Sequence, residues 1–189
     1  MIDEILTLEF DGGSRGNPGP AGIGVVVRAA DGTPLVTLGR PIGVATNNVA
    51  EYKALILALE KARELGAAKI VIRGDSELIV KQMRGEYRVK HPAMRPLHEA
   101  AQSLYREFKQ AKIEHNLRHK NELADKLANL AMDRRAEVTD ADEDAPPTPR
   151  IETRFSCSRC GCAIEVKKAS SIGAERLGAF TCRCGGRMG

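Results

Sequence analysis

Four of the chain's 25 acidic residues, Asp11, Glu51, Asp75 and Asp125, stand in surroundings that could serve chemistry. Asp11 follows the apolar run ILTLEF and precedes GGSRGNPGPAG, a stretch so rich in glycine and proline that a turn is the simplest expectation. Glu51 precedes Leu55, Ala58 and Ala62 at helical spacing, on the face that turns toward a core, where a lone carboxylate is costly. Asp75 ends KIVIRGD, and Asp125 lies one turn into NELADKLANLAMDRRA. Each has an ordinary structural reading. Asp11 would be a turn residue, Glu51 the partner of Asn48 in a capping box, Asp75 an N-cap, and Asp125 a complement to a helix dipole. Together they ask for more, because four carboxylates brought to one sheet edge repel and raise one another's pKa. Divalent cations remove that conflict, and hard ions such as Mg²⁺ and Mn²⁺ prefer oxygen ligands.

The elements that must position them can be read from periodicity. Leu6, Leu8 and Phe10 alternate on one strand face, with Asp11 on the opposite parity. AGIGVVVRA and PLVTLGRPIG follow after short turns, which predicts a three-stranded antiparallel meander. The period then changes. NNVAEYKALILALEKARELG repeats Ala54, Leu55, Ala58, Leu59, Ala62 and Leu65 at helical spacing and stops at Gly66. KIVIRGD reads as a strand, SELIVKQMRG and MRPLHEAAQSLYREFKQA as helices, KIEHNLR as a fifth strand and NELADKLANLAMDRRA as a last helix behind Asn121. A meander followed by βα alternation predicts an α/β fold with a mixed five-stranded sheet and helices on its faces.

Beyond residue 136 the composition shifts. EVTDADEDAPPTP carries no lysine or arginine and little to bury, so residues 137–150 are expected to form a flexible linker between a domain at 1–136 and another at 151–189. The formal net charge is +4, and both flanking segments are basic, which suits a polyanionic partner. No apolar run approaches the ~20 residues of a membrane span, and the acidic start MIDEILTLEF is unlike a signal peptide. The expectation is a soluble, cytoplasmic protein, with no dimer-forming stripe to suggest more than a monomer.

All five cysteines fall in the last segment, as Cys157-x2-Cys160-x-Cys162 and Cys182-x-Cys184. Two close clusters, each followed by glycine, predict a structural Cys₄ zinc ribbon with Cys157, Cys160, Cys182 and Cys184 as Zn²⁺ ligands. Cys162 is then spare, although its replacing another ligand stays open. So short a segment needs metal to fold. Its basic residues suit phosphate contact, and a protein-docking ribbon is the competing reading.

DGGSRGNPGPAG, TNNVAEYKALILAL, GDSELIVKQM and NELADKLANLA, in this order, resemble the four signature blocks of type 1 ribonuclease H. The resemblance covers residues 1–135. It implies the ribonuclease H fold, strand order 3-2-1-4-5, and endonucleolytic hydrolysis of the RNA strand of RNA–DNA hybrids, leaving 5′-phosphate and 3′-hydroxyl ends. Asp11, Glu51, Asp75 and Asp125 carry over as ligands of two Mg²⁺ or Mn²⁺ ions, with Asp11 bridging, Asp125 on the nucleophile side, and Glu51 and Asp75 on the leaving-group side. Ser14, Asn17, Asn47 and Asn48 match positions that touch 2′-hydroxyls, bases or phosphates, and Thr46 matches a phosphate-pocket position. Turn and cap chemistry is the alternative for all five.

Three departures from the family pattern stand out. Glu77 replaces a frequent glutamine. NLRHKNELAD is too short for the histidine-bearing loop of some members, leaving Arg118 or His119 as candidate substitutes. The basic stretch GEYRVKHPAMRP, with Arg84, Arg88, Lys90 and Arg95, lacks the tryptophan of the longer protrusion. Two alternatives accompany this reading: the same chemistry on double-stranded or structured RNA, and a non-catalytic nucleic-acid-binding module on the same fold.

Overall fold

The computed structural model describes residues 2–116, 121–142, 154–156, 159–160, 162–165 and 184. The chain divides into two compact units, Met1–Ala145 and Pro146–Gly189.

In the first unit the strands β1 (Ile2–Ser14), β2 (Gly19–Arg28) and β3 (Pro34–Ala45) form the meander. Helix α1 (Asn47–Glu64), strand β4 (Ala67–Gly74), helices α2 (Glu77–Met83) and α3 (Arg95–Tyr105), strand β5 (Gln110–His115) and helix α4 (Glu122–Arg134) follow. The sheet order is β3-β2-β1-β4-β5, as the family resemblance implies. Strands β1, β2 and β3 pair antiparallel, while β4 lies parallel to both β1 and β5. The third helix is shorter than its sequence pattern: it stops at Tyr105, ahead of β5 at Gln110, and Met94 belongs to a separate 3₁₀ turn, Pro92–Met94. No helix among the described residues is long and apolar enough to cross a membrane.

Strand parity divides the core into two layers. Leu6, Leu8, Phe10, Val25 and Val27 meet Leu55, Leu59 and the alanines of α1 on one face, with parts of α2 and α3. Val26 points the other way, into a smaller cluster with Ala124, Leu127 and Ala131 of α4. Glycines set how close α4 comes: a Cβ on Gly24 would collide with the Ala124 carbonyl, and one on Gly39 with the Leu127 carbonyl. The helix therefore lies backbone against backbone on β2 and β3, which fixes the height of Asp125 over the sheet.

Two sequence expectations change. Strand β1 does not end at Asp11; it runs on to Ser14, with Asp11 opposite Gly24 and Ser14 opposite Ala21. Gly12 and Gly13 are strand residues, and Gly12 admits helix α1 at Ala50 and Glu51, so the turn is confined to residues 15–18. The expected linker also begins later than residue 137. Gly39 and Val138 exchange backbone hydrogen bonds of 2.8 and 2.9 Å, Val138 is buried, and Arg134 donates to the Asp142 carbonyl at 2.6 Å. Val138 supplies the buried aliphatic contact that the acidic composition obscured.

In the second unit, β6 (Arg154–Ser156) and β7 (Ala163–Glu165) pair antiparallel, with Phe155 opposite Ile164.

Candidate active site

Four element ends build the site. Asp11 lies near the end of β1, Glu51 in the second turn of α1, Asp75 directly after β4 and Asp125 in the first turn of α4. They line one open cleft of about 340 Å³, together with Gly12, Ser14, Arg15 and Asn47 on one side and Asn129 and Met132 on the other. Ligand atoms of Asp11, Glu51 and Asp75 lie within 4.8 Å of one another. Asp125 borders the same cleft without joining that tight group.

The structural alternatives for two of these residues lapse on capping geometry. Helix α1 is capped by Thr46, whose Oγ1 accepts from the Val49 N–H at 3.4 Å. Asn48 is thus already helical, and Glu51 stands beyond reach of a capping box. Helix α2 takes Ser76 as its N-cap, so Asp75 precedes the cap. Asn121 occupies the N-cap position of α4 without capping it. Its Nδ2 donates instead to the Phe10 carbonyl at 2.8 Å, tying the start of α4 to the strand residue just before Asp11.

Electrostatics set Glu51 apart. Burial, and then the negative charges of Asp11 and Asp75, push its carboxyl up to about 9. Its Oε2 is buried and has no hydrogen-bond partner among the described residues. An orphaned carboxylate oxygen facing two further carboxylates is what a divalent cation resolves, and the all-oxygen donor set fits Mg²⁺ or Mn²⁺. Next door, His115 Nε2 lies 3.1 Å from the Asp75 carbonyl and the Asn116 N–H donates to the Gly74 carbonyl at 2.9 Å, pinning the end of β5 beside Asp75.

The expected substrate contacts form a network at the cleft's rim. Asn47 Oδ1 accepts from the Ser14 N–H at 2.8 Å and from the Ser14 hydroxyl at 2.7 Å, while Asn17 Oδ1 accepts from the Asn47 N–H at 3.2 Å. Asn48 is exposed on the first turn of α1. Glu77 faces away from such a role, its carboxylate held below the usual range by a 2.7 Å bond from Lys81. Arg84 is committed elsewhere, donating to the Ile113 carbonyl at 3.0 and 2.7 Å. Arg118 and His119 lie outside the described residues.

Asn129 and Met132 were not singled out by sequence. The signal that could have found them is spacing, since they follow Asp125 by one and two helical turns on the same face. Arg15 was hidden inside the glycine-rich stretch.

Of the expected zinc ligands, Cys157 and Cys182 lie outside the described residues. Cys160 and Cys162 fall between β6 and β7 with their sulfurs 3.1 Å apart, and Arg159 donates to the Cys184 carbonyl at 3.0 Å. The sulfur contact brings Cys162, expected to be spare, next to an expected ligand.

Residues 9–131 match the protein family described as reverse transcriptase-like. The chain is 49% identical over 140 residues to the Bifunctional protein Rv2228c of Mycobacterium tuberculosis, a match covering 74% of this chain and only 38% of that relative's length. It is 48% identical over 124 residues to Ribonuclease HI of Halobacterium salinarum, covering 66% of this chain and 62% of that one. Among solved structures, LC11-RNase H1 in complex with an RNA/DNA hybrid superposes with a TM-score of 0.66 at 42% identity, over 69% of this chain and 98% of that one.

Proposed function

The chain belongs to the reverse transcriptase-like family, among the type 1 ribonucleases H, and from that premise we propose that it is an endoribonuclease hydrolysing the RNA strand of RNA–DNA hybrids with two divalent cations. It acts as a cytoplasmic monomer and leaves 5′-phosphate and 3′-hydroxyl ends. The observation that carries the reading is the orphaned Glu51 oxygen gathered with Asp11 and Asp75 in an open cleft.

Asp11, Glu51, Asp75 and Asp125 are the residues that would hold Mg²⁺ or Mn²⁺. When bound, the cations activate the attacking water and offset charge on the leaving oxygen. The chain's own part is placement. Ser14, Asn17, Thr46, Asn47 and Asn48 border the strand that enters, and short hydroxyl and amide groups can both donate to and accept from a 2′-hydroxyl, the group that separates RNA from DNA. Arg118 is a further substrate contact. In the second unit, Cys157, Cys160, Cys182 and Cys184 would hold a structural Zn²⁺. The turn between β6 and β7, which carries Cys160 beside Cys162, supports that role and keeps Cys162 as the alternative ligand.

The test is cleavage of one labelled sequence presented as RNA–DNA hybrid, double-stranded RNA and single-stranded RNA, with Mg²⁺ or Mn²⁺, by the full chain and by Asp11→Asn. Cutting confined to the hybrid and lost in the variant supports the reading. Equal cutting of double-stranded RNA would change the substrate, and no metal-dependent cutting at all would overturn the enzyme.

A further inference from the structure

The carboxylate cleft has a single cation in its wall among the described residues. Among the described residues that line it, Arg15 alone is positively charged, against Asp11, Glu51, Asp75 and Asp125. Its backbone is firmly set. The Arg15 N–H donates to the Pro20 carbonyl at 2.8 Å, a Cβ on Gly19 would collide with the Arg15 carbonyl, and Ser14 beside it is tied twice to Asn47.

The guanidinium reaches α4 and pairs with Asp133, joining the two walls of the cleft. Asp133 sits in the last turn of α4, where unpaired carbonyls disfavour an acidic side chain, so its carboxylate does not serve the helix. The two side chains are 55% and 53% exposed. An ion pair so open to water contributes little to stability and exchanges partners easily. A guanidinium also matches phosphate in a bidentate fork, with shorter and stronger hydrogen bonds than neutral donors make.

We propose that Arg15 is a substrate-binding residue that takes a backbone phosphate of the polynucleotide strand entering the carboxylate cleft, and that Asp133 holds the guanidinium in position until the phosphate replaces it. The inference rests on the nuclease reading. It supplies what an acidic cleft needs to admit a polyanion, a fixed positive charge whose existing partner is readily displaced.

Full-length wild type, Arg15→Ala, Arg15→Lys and Asp133→Asn test it. Binding to an RNA–DNA hybrid oligonucleotide is measured in chelator over a range of salt, and KM and kcat are measured with Mg²⁺. Arg15→Ala is expected to weaken binding and raise KM by about tenfold, with kcat within about twofold. It should also flatten the dependence of log K on log salt by about 0.7 to 0.9. Arg15→Lys should restore that slope with part of the affinity, because it keeps the charge and loses the fork. Asp133→Asn should bind as tightly as wild type or more tightly.

A purely structural bridge gives a different pattern. Arg15→Ala and Asp133→Asn would then weaken binding together, lower Tm together and leave the salt slope unchanged, which overturns the inference while wild-type cleavage leaves the nuclease reading standing. A wild-type chain that neither binds nor cuts hybrid overturns both.

Discussion

Gly12 and Glu51 occupy touching backbones: a Cβ on Gly12 would overlap the Glu51 nitrogen and the Ala50 carbonyl. The strand that carries Asp11 and the helix that carries Glu51 thus meet without an intervening side chain, and the spacing of the two carboxylates is set by that contact. Gly12→Ala is expected to force α1 off the strand. The overpacking should cost about 1–3 kcal/mol in denaturant unfolding. Displacing Glu51 by about an ångström should lower cleavage by up to about 100-fold. Wild-type activity in a destabilised variant would mean the carboxylates tolerate the shift and the contact serves packing alone.

The raised Glu51 carboxyl has a signature in the pH dependence of stability. Between its ordinary value of 4.5 and about 9, the folded protein keeps a proton that the unfolded chain releases, so stability falls as pH rises through that window. Thermal unfolding in chelator should show the decline. Glu51→Gln should flatten it and raise Tm near pH 8, by about 2–4 °C for each kcal/mol recovered. Added Mg²⁺ or Mn²⁺ should offset the decline in wild type far more than in the variant. Parallel profiles for the two proteins would locate the pH dependence elsewhere.

Asn121 links α4 to β1 through its bond to the Phe10 carbonyl, and it is 1% exposed. Asn121→Ala removes the donor and leaves a carbonyl facing the gap, at a cost of about 1–3 kcal/mol. Because the bond joins the residue before Asp11 to the helix that carries Asp125, kcat should fall while KM stays near wild type. Steady-state kinetics beside urea unfolding separates the effects; a loss of stability with unchanged kcat would show that α4 is held in register by its glycine contacts alone.

The strands and the helices were legible because the apolar period switches from two to nearly four after the meander, and because Gly66, with positive φ, stops α1 where the pattern ends, whereas the sheet order was implied only by the family resemblance. The carboxylates were legible through their places at element ends. What stayed hidden depends on contacts between distant segments. GGS after Asp11 reads locally as a turn, yet Gly12 is a strand residue whose missing side chain makes room for α1. Thr46, Asn47 and Asn48 are all acceptable caps by type, and only the bond to Val49 selects Thr46. The pairing of Arg15 with Asp133 joins a loop to a helix far along the chain, which no local pattern can announce.

Val138 gives the sharpest test of where the first unit stops. Its residue type is the one large aliphatic in an acidic stretch, and in the structure it is 2% exposed, packed with Val26, Leu127 and Ala131 behind the edge of β3. Thr37 donates to Asp140 at 2.7 Å, and Arg40 pairs with Glu137 at 2.5 Å, so the segment covers part of an otherwise open sheet edge. In the full chain Val138→Ala should lower unfolding stability by about 1–3 kcal/mol through the lost burial. Substitutions in a true linker stay within about 0.5 kcal/mol. The midpoint of urea unfolding decides between them: an unshifted midpoint would return residues 137–142 to the linker, and a shift with cleavage intact would make them a structural border of the catalytic unit, remote from its carboxylates.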